Sequence, residues 1–125
     1  MKLAIIATSC LIAAATAAHA DGDAAAGATV FKKCAACHSV DPTNKVGPSL
    51  KDVVGRPVAS IEGFRYSKAM IAFGEGKTWD EALLTEYLAA PRAVVKGTSM
   101  AFAGLKKPED VANVIAYLKA PPAAE

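Results

Sequence analysis

The sequence predicts an all-α domain of three to five helices joined by long irregular connections. Three observations lead there. Apolar residues recur at helical spacing near both ends, as Val30, Phe31 and Cys34 and as Val111, Val114, Ile115 and Leu118. Between Ser39 and Tyr66 the chain is broken by Asp41-Pro42, Gly47-Pro48, Gly55, Pro57 and Gly63. No segment alternates apolar and polar residues as a half-buried strand would. With 125 residues, 53% hydrophobic and 21% charged, the chain has the size and balance of one globular domain. A formal charge of +2 is too mild to point to nucleic acid.

The elements follow in order. Residues 1–20 read as a secretory signal: Lys2 gives a positive start, Leu3 to Ala18 are apolar or small, and Ala18-His19-Ala20 offers a cleavage site. The run is shorter than the roughly 20 residues a spanning helix needs, so cleavage before Asp21 and export to the periplasm are expected. That leaves one domain, residues 21–125, and removes Cys10 and His19 from the ligand supply. A first helix follows, capped by Asp21 or Asp23 and rich in alanine. Gly27 in its middle costs about 1 kcal/mol against alanine, which marks a close approach by another element.

A second helix begins after Ser67 and runs through Lys68 to Phe73, ended by Gly74 and Gly76. In the third, Thr78 and Glu81 have capping-box spacing, Leu83, Leu84, Tyr87 and Leu88 follow, and Pro91 stops it. From Arg92 to Lys107 the sequence RAVVKGTSMAFAGLKK has little helical period and one methionine, Met100. In the last helix Pro108 suits the first turn, Glu109 and Asp110 suit the dipole, and Pro121-Pro122 closes it. Loops of about 20 residues sit badly in a compact domain unless a large apolar group supplies the core they lack.

The chemistry concentrates in CAACH, residues 34–38. A structural zinc site wants four thiolate or imidazole ligands, and the chain after Asp21 offers only Cys34, Cys37 and His38. A redox dithiol would follow a strand in a βαβ unit, whereas these cysteines follow a helical stretch. A plain disulfide would close a loop too short to constrain much of the unfolded chain. Covalent haem attachment uses all three groups, two thiols for thioethers and an imidazole for iron. A loop methionine ordinarily fills a gap, but opposite a haem histidine its thioether is an established second axial ligand.

With GATVFKKCAACH, KVGPSL, GR, GFRY, TWDEALLTEYLAAP, KGTSMAF and VIAYL in that order, the chain resembles the class I cytochromes c. Within them it is similar to the small soluble bacterial c2-like type, akin to the mitochondrial carrier, over nearly all of residues 23–119. The resemblance implies a cytochrome c fold, with long loops wrapped around one haem c bound through Cys34 and Cys37. It implies His38 and Met100 as axial ligands, and the Pro48 carbonyl as acceptor for the other ring N–H of His38. It implies that Tyr87 approaches the Met100 sulfur and that Arg56, Tyr66, Trp79 and Thr98 hold the haem propionates. Trp79 and Tyr87 read equally well as ordinary core aromatics on their own. Gly27 and Phe31 would pack on Val114, Tyr117 and Leu118.

Two departures stand out. Met70 takes a place where mitochondrial-like relatives often carry a polar residue, and Ala93 and Ser99 stand where relatives often have lysine.

The implied function is a one-electron carrier in a respiratory or photosynthetic chain, not an enzyme, and a monomer. Its donor would be a quinol-oxidising cytochrome complex, its acceptor a terminal oxidase, a reaction centre or another reductase. Docking would use Lys33, Lys45, Arg92, Lys96, Lys106 and Lys107 around the haem edge. The competing readings are a haem peroxidase or gas-binding sensor in which Met100 dissociates, and a fixed relay subunit of a larger complex.

Overall fold

A computed structural model describes residues 22–121. The expected signal peptide, its cleavage site and the alternative cap Asp21 lie outside those residues. The described chain is helical, with α1 (Ala24–Phe31), α2 (Lys68–Gly74), α3 (Glu81–Ala89), α4 (Pro91–Val94) and α5 (Pro108–Lys119). Strand pairing among these residues is limited to an isolated bridge between Pro57 and Thr78.

α1 starts where the Asp23 carboxylate accepts hydrogen bonds from the amides of Ala25 (2.8 Å) and Ala26 (3.3 Å). The amide of Asp23 itself donates to Asn113 Oδ1 on α5 at 2.8 Å. That clamp, which no motif or period announces, sits beside the crossing of the two helices. At Gly27 an added Cβ would lie 1.9 Å from the Asn113 carbonyl oxygen and 2.8 Å from Tyr117 Cβ. The expected close approach is therefore backbone against backbone. The rings of Phe31 and Tyr117 meet at 5.2 Å beside it, and Val114 and Leu118 are buried in the same core.

Two expectations need correction around Pro91. The cap of α3 is Asp80, whose carboxylate accepts from the Leu83 amide at 2.8 Å, and not Thr78. Thr78 pairs instead with Pro57, and the adjacent bond from Val58 N to Lys77 O (3.0 Å) extends that pairing. Pro91 does end α3, but it also begins α4 at the first helical position, where its missing N–H costs nothing. A four-residue helix is too short to show a period, which is why the stretch reads as loop.

The chain after α4 folds back on α3 through a bond from Leu105 N to Leu88 O at 2.8 Å. Leu84 and Tyr87 of α3, Val95 and Leu105 of that return, and Val111, Val114, Ile115 and Leu118 of α5 form the main core. Lys119 also ion-pairs with Glu81 across α5 and α3, an exposed contact of small energetic weight.

Candidate functional site

A cavity of about 520 Å³ is walled as much by the long connections as by α3. Its size falls within the range of small-molecule sites, about 300–1,000 Å³. All of Cys34, Cys37, His38, Pro48, Arg56, Tyr66, Trp79, Tyr87, Thr98 and Met100 line it, as does Met70.

The CAACH segment reaches the cavity by tight turns after α1. Cys34 N donates to Phe31 O at 2.8 Å, Cys37 N to Cys34 O at 3.0 Å and His38 N to Cys34 O at 2.9 Å. This winding brings two thiols and an imidazole to one wall. Burial pushes the Cys34 thiol up, with the Lys33 ammonium acting against it.

His38 Nδ1 lies 2.7 Å from the Pro48 carbonyl oxygen. A carbonyl can only accept, so Nδ1 carries the proton and Nε2 keeps its lone pair. Burial also holds the imidazole below its ordinary pKa, the Pro48 bond acts in the opposite sense, and Arg56 and Lys45 add to the lowering. The ring rests on Gly47, where a Cβ would stand 2.4 Å from His38 Cε1. Gly47 reads in the sequence only as a breaker beside Pro48; its steric role depends on a ring nine positions away in the chain.

Arg56 and Trp79 face each other across paired backbone, with Trp79 N donating to Arg56 O (2.9 Å) and Gly55 N to Trp79 O (2.7 Å). Arg56 Nη1 donates to Lys51 O at 2.8 Å, while its Nε is buried without a partner. Burial lowers the guanidinium pKa, opposed by Tyr66 and Asp52. A buried cationic donor left unpaired at an apolar cavity fits a ligand that brings an acidic group. Tyr66 Oη accepts from the Ile61 amide at 3.1 Å, and the Trp79 ring packs on Tyr87 at 4.8 Å.

On the return from α4, the Met100 amide donates to Thr98 Oγ1 at 3.2 Å. Tyr87 Oη donates to Met100 Sδ at 3.7 Å. Burial raises the Tyr87 pKa, and a hydrogen bond from Thr98 opposes the rise. Tyr87 and Thr98 thus hold Met100 at both its sulfur and its amide. Met70 presents a second thioether from α2.

Lys33, Lys45, Arg92, Lys96, Lys106 and Lys107 are all exposed. Lys33 lines the cavity, while Lys45 Nζ donates to Ala35 O at 2.6 Å and Lys106 Nζ to Ala103 O at 3.0 Å. Two thiols, an imidazole with its Nε2 lone pair, a thioether and an unpaired guanidinium N–H around an apolar space fit a haem c.

A family model described as "Cytochrome c" matches residues 24–120. A cytochrome c2 of Rhodomicrobium vannielii is 53% identical over 103 residues, covering 81% of this chain and 81% of that one. One from Blastochloris viridis is 46% identical, over 87% of this chain and 86% of its own. Among solved structures, cytochrome cH from Methylobacterium extorquens superposes with a TM-score of 0.74 at 45% identity, covering 78% of this chain and 98% of that chain.

Proposed function

The chain belongs to the cytochrome c family, and from that premise we propose that it is a periplasmic shuttle using a six-coordinate His/Met haem. It is an electron-transfer protein with one haem c attached through Cys34 and Cys37. When bound, the haem supplies a one-electron couple; the side chains hold it, ligate it and keep water away.

In this reading His38 Nε2 and Met100 Sδ would be the protein's ligands to the haem iron. The observation that carries it is the paired preparation of these two groups. One bond to Pro48 fixes the tautomer of His38 (2.7 Å), and Tyr87 holds the sulfur of Met100 (3.7 Å). Two protein ligands leave no open coordination position for a substrate. That argues against the peroxidase and sensor reading. A methionine opposite a histidine in an apolar pocket also raises the reduction potential. Arg56 would pair with a propionate through its free Nε.

No helix among the described residues is long and apolar enough to cross a membrane. The six exposed basic residues would steer an acidic donor and acceptor to the haem edge without holding them there. A quinol-oxidising complex on one side and an oxidase, reaction centre or reductase on the other suit that surface. Periplasmic export rests on the composition of residues 1–20.

The test is the absorption spectrum of the oxidised protein. The weak far-red band of sulfur on ferric haem is expected, and Met100→Ala should abolish it. A ferrous wild type that binds carbon monoxide rapidly would instead favour the sensor reading. A second expectation concerns alkaline pH. With Ala93 and Ser99 in the ligand loop, Lys96 is its only lysine before Met100, so any high-pH replacement of the sulfur should depend on it. An alkaline transition unchanged in Lys96→Ala would sink that idea.

A further inference from the structure

We propose that Asn44 is a positioning residue for His38, acting through the single peptide unit that joins Pro48 to Ser49. The inference rests on the reading of His38 as the iron ligand.

A peptide unit has two hydrogen-bonding ends, and here both are committed. The carbonyl end, Pro48 O, takes the Nδ1 proton of His38 at 2.7 Å. The amide end, Ser49 N–H, donates to Asn44 Oδ1 at 2.8 Å. The direction is forced, because an amide N–H needs an acceptor and only the side-chain oxygen of Asn44 can serve. Imidazole, peptide and carboxamide therefore form one chain of donors and acceptors ending on an exposed residue.

Two physical effects run along that chain. The first is orientation. Pro48 has no N–H and its φ is fixed by the ring, so Asn44 restrains the plane of the peptide from the side His38 does not touch. The neighbouring backbone is pinned as well, by Gly47 N to Cys37 O (2.8 Å) and Lys45 N to Gly47 O (2.9 Å). Ser49 is buried and its hydroxyl donates to Asp41 O. The second effect is polarisation. An amide whose N–H is engaged has a more negative carbonyl oxygen, and chained hydrogen bonds strengthen one another by about 10–30%. A stronger acceptor at Pro48 draws the Nδ1 proton further and makes Nε2 a better donor to iron, favouring the ferric state.

Asn44→Ala removes the acceptor, and Asn44→Asp replaces it with a charged, stronger one. Because residue 44 is exposed, both variants are expected to fold. The readouts are the midpoint potential and the proton resonance of His38 Nδ1. Alanine should raise the potential and aspartate lower it, each changing the ferrous-to-ferric ratio at fixed potential by roughly twofold to fivefold. The Nδ1 proton of the ferrous protein should move in opposite directions in the two variants, while the far-red sulfur band stays in place. Thr43→Glu controls for charge: it adds an anion one residue away, and the hydroxyl it removes bonds the Asp41 carboxylate and not the Ser49 amide.

Equal potentials in wild type and both variants would overturn the proposal. So would a Thr43→Glu protein that reproduces both shifts of Asn44→Asp. Failure of the underlying ligand reading has its own signature, a His38 ring without paramagnetic shifts in the ferric wild type. Shifted ring protons with an insensitive potential would leave His38 as ligand and remove Asn44 from the account.

Discussion

Gly27→Ala should destabilise the protein by about 2–4 kcal/mol, although helix propensity alone gives it the opposite sign. Alanine is the better helix former by about 1 kcal/mol, so an isolated α1 would gain. In the folded chain the new methyl meets the carbonyl oxygen of Asn113 at 1.9 Å and its carbon at 2.6 Å. Both are backbone atoms of α5, so no side chain can swing aside. The helices must part, loosening the Phe31–Tyr117 contact at 5.2 Å and the bond from Asp23 N to Asn113 Oδ1. For a domain of this size the loss corresponds to a fall in Tm of roughly 8–30 °C. Thermal melting followed by circular dichroism checks it; a Tm at or above the wild-type value would disprove the backbone crossing.

Gly47→Ala should act on the site with little effect on the helices. Its methyl would stand 2.4 Å from His38 Cε1 and 2.7 Å from Nδ1, against the face of the ring. The imidazole would have to tilt, and the 2.7 Å bond to Pro48 would lengthen with it. Disturbing a bond that orients a metal-bound histidine typically costs 10–100-fold in ligand strength. Protons then compete for the imidazole at higher pH. With His38 as the proposed iron ligand, the acid transition of the oxidised protein should therefore rise by about one to two pH units. An unmoved transition would mean that the ring does not rest on Gly47 in the loaded protein.

These two glycines also mark where the sequence is readable. Gly27 is legible because a costly residue in a helical period asks for a reason, and the reason is another backbone. α5 is legible from its stripe, its Pro108 start and its acidic first turn, all of which it keeps. α2 is legible from Ser67, whose hydroxyl accepts from the Met70 amide at 3.1 Å. The residues that line the cavity are legible through an ordered series of short motifs, since all ten singled out meet around one space.

What escapes is contact between positions that lie apart in the chain or between competing local signals. Thr78 and Asp80 are both able to cap α3, and spacing alone favours the wrong one. The choice falls to Asp80 because Thr78 is taken up in the bridge to Pro57. Asn113 and Asn44 look like ordinary polar surface residues. Each matters because its carboxamide oxygen accepts from one backbone amide, and no period or motif encodes such a partner.

The bond between Asp23 and Asn113 joins residues 90 positions apart, near the two limits of the described chain. In topological terms the described chain is nearly a closed circle, whose arc carries the cofactor and whose clasp is α1 on α5. A circle can be reopened elsewhere. A linker between the limits of the described chain would complete it, and an exposed turn such as the one at Gly63 can supply new ends. The same geometry has an entropic cost, since the clasp closes a loop of 90 residues.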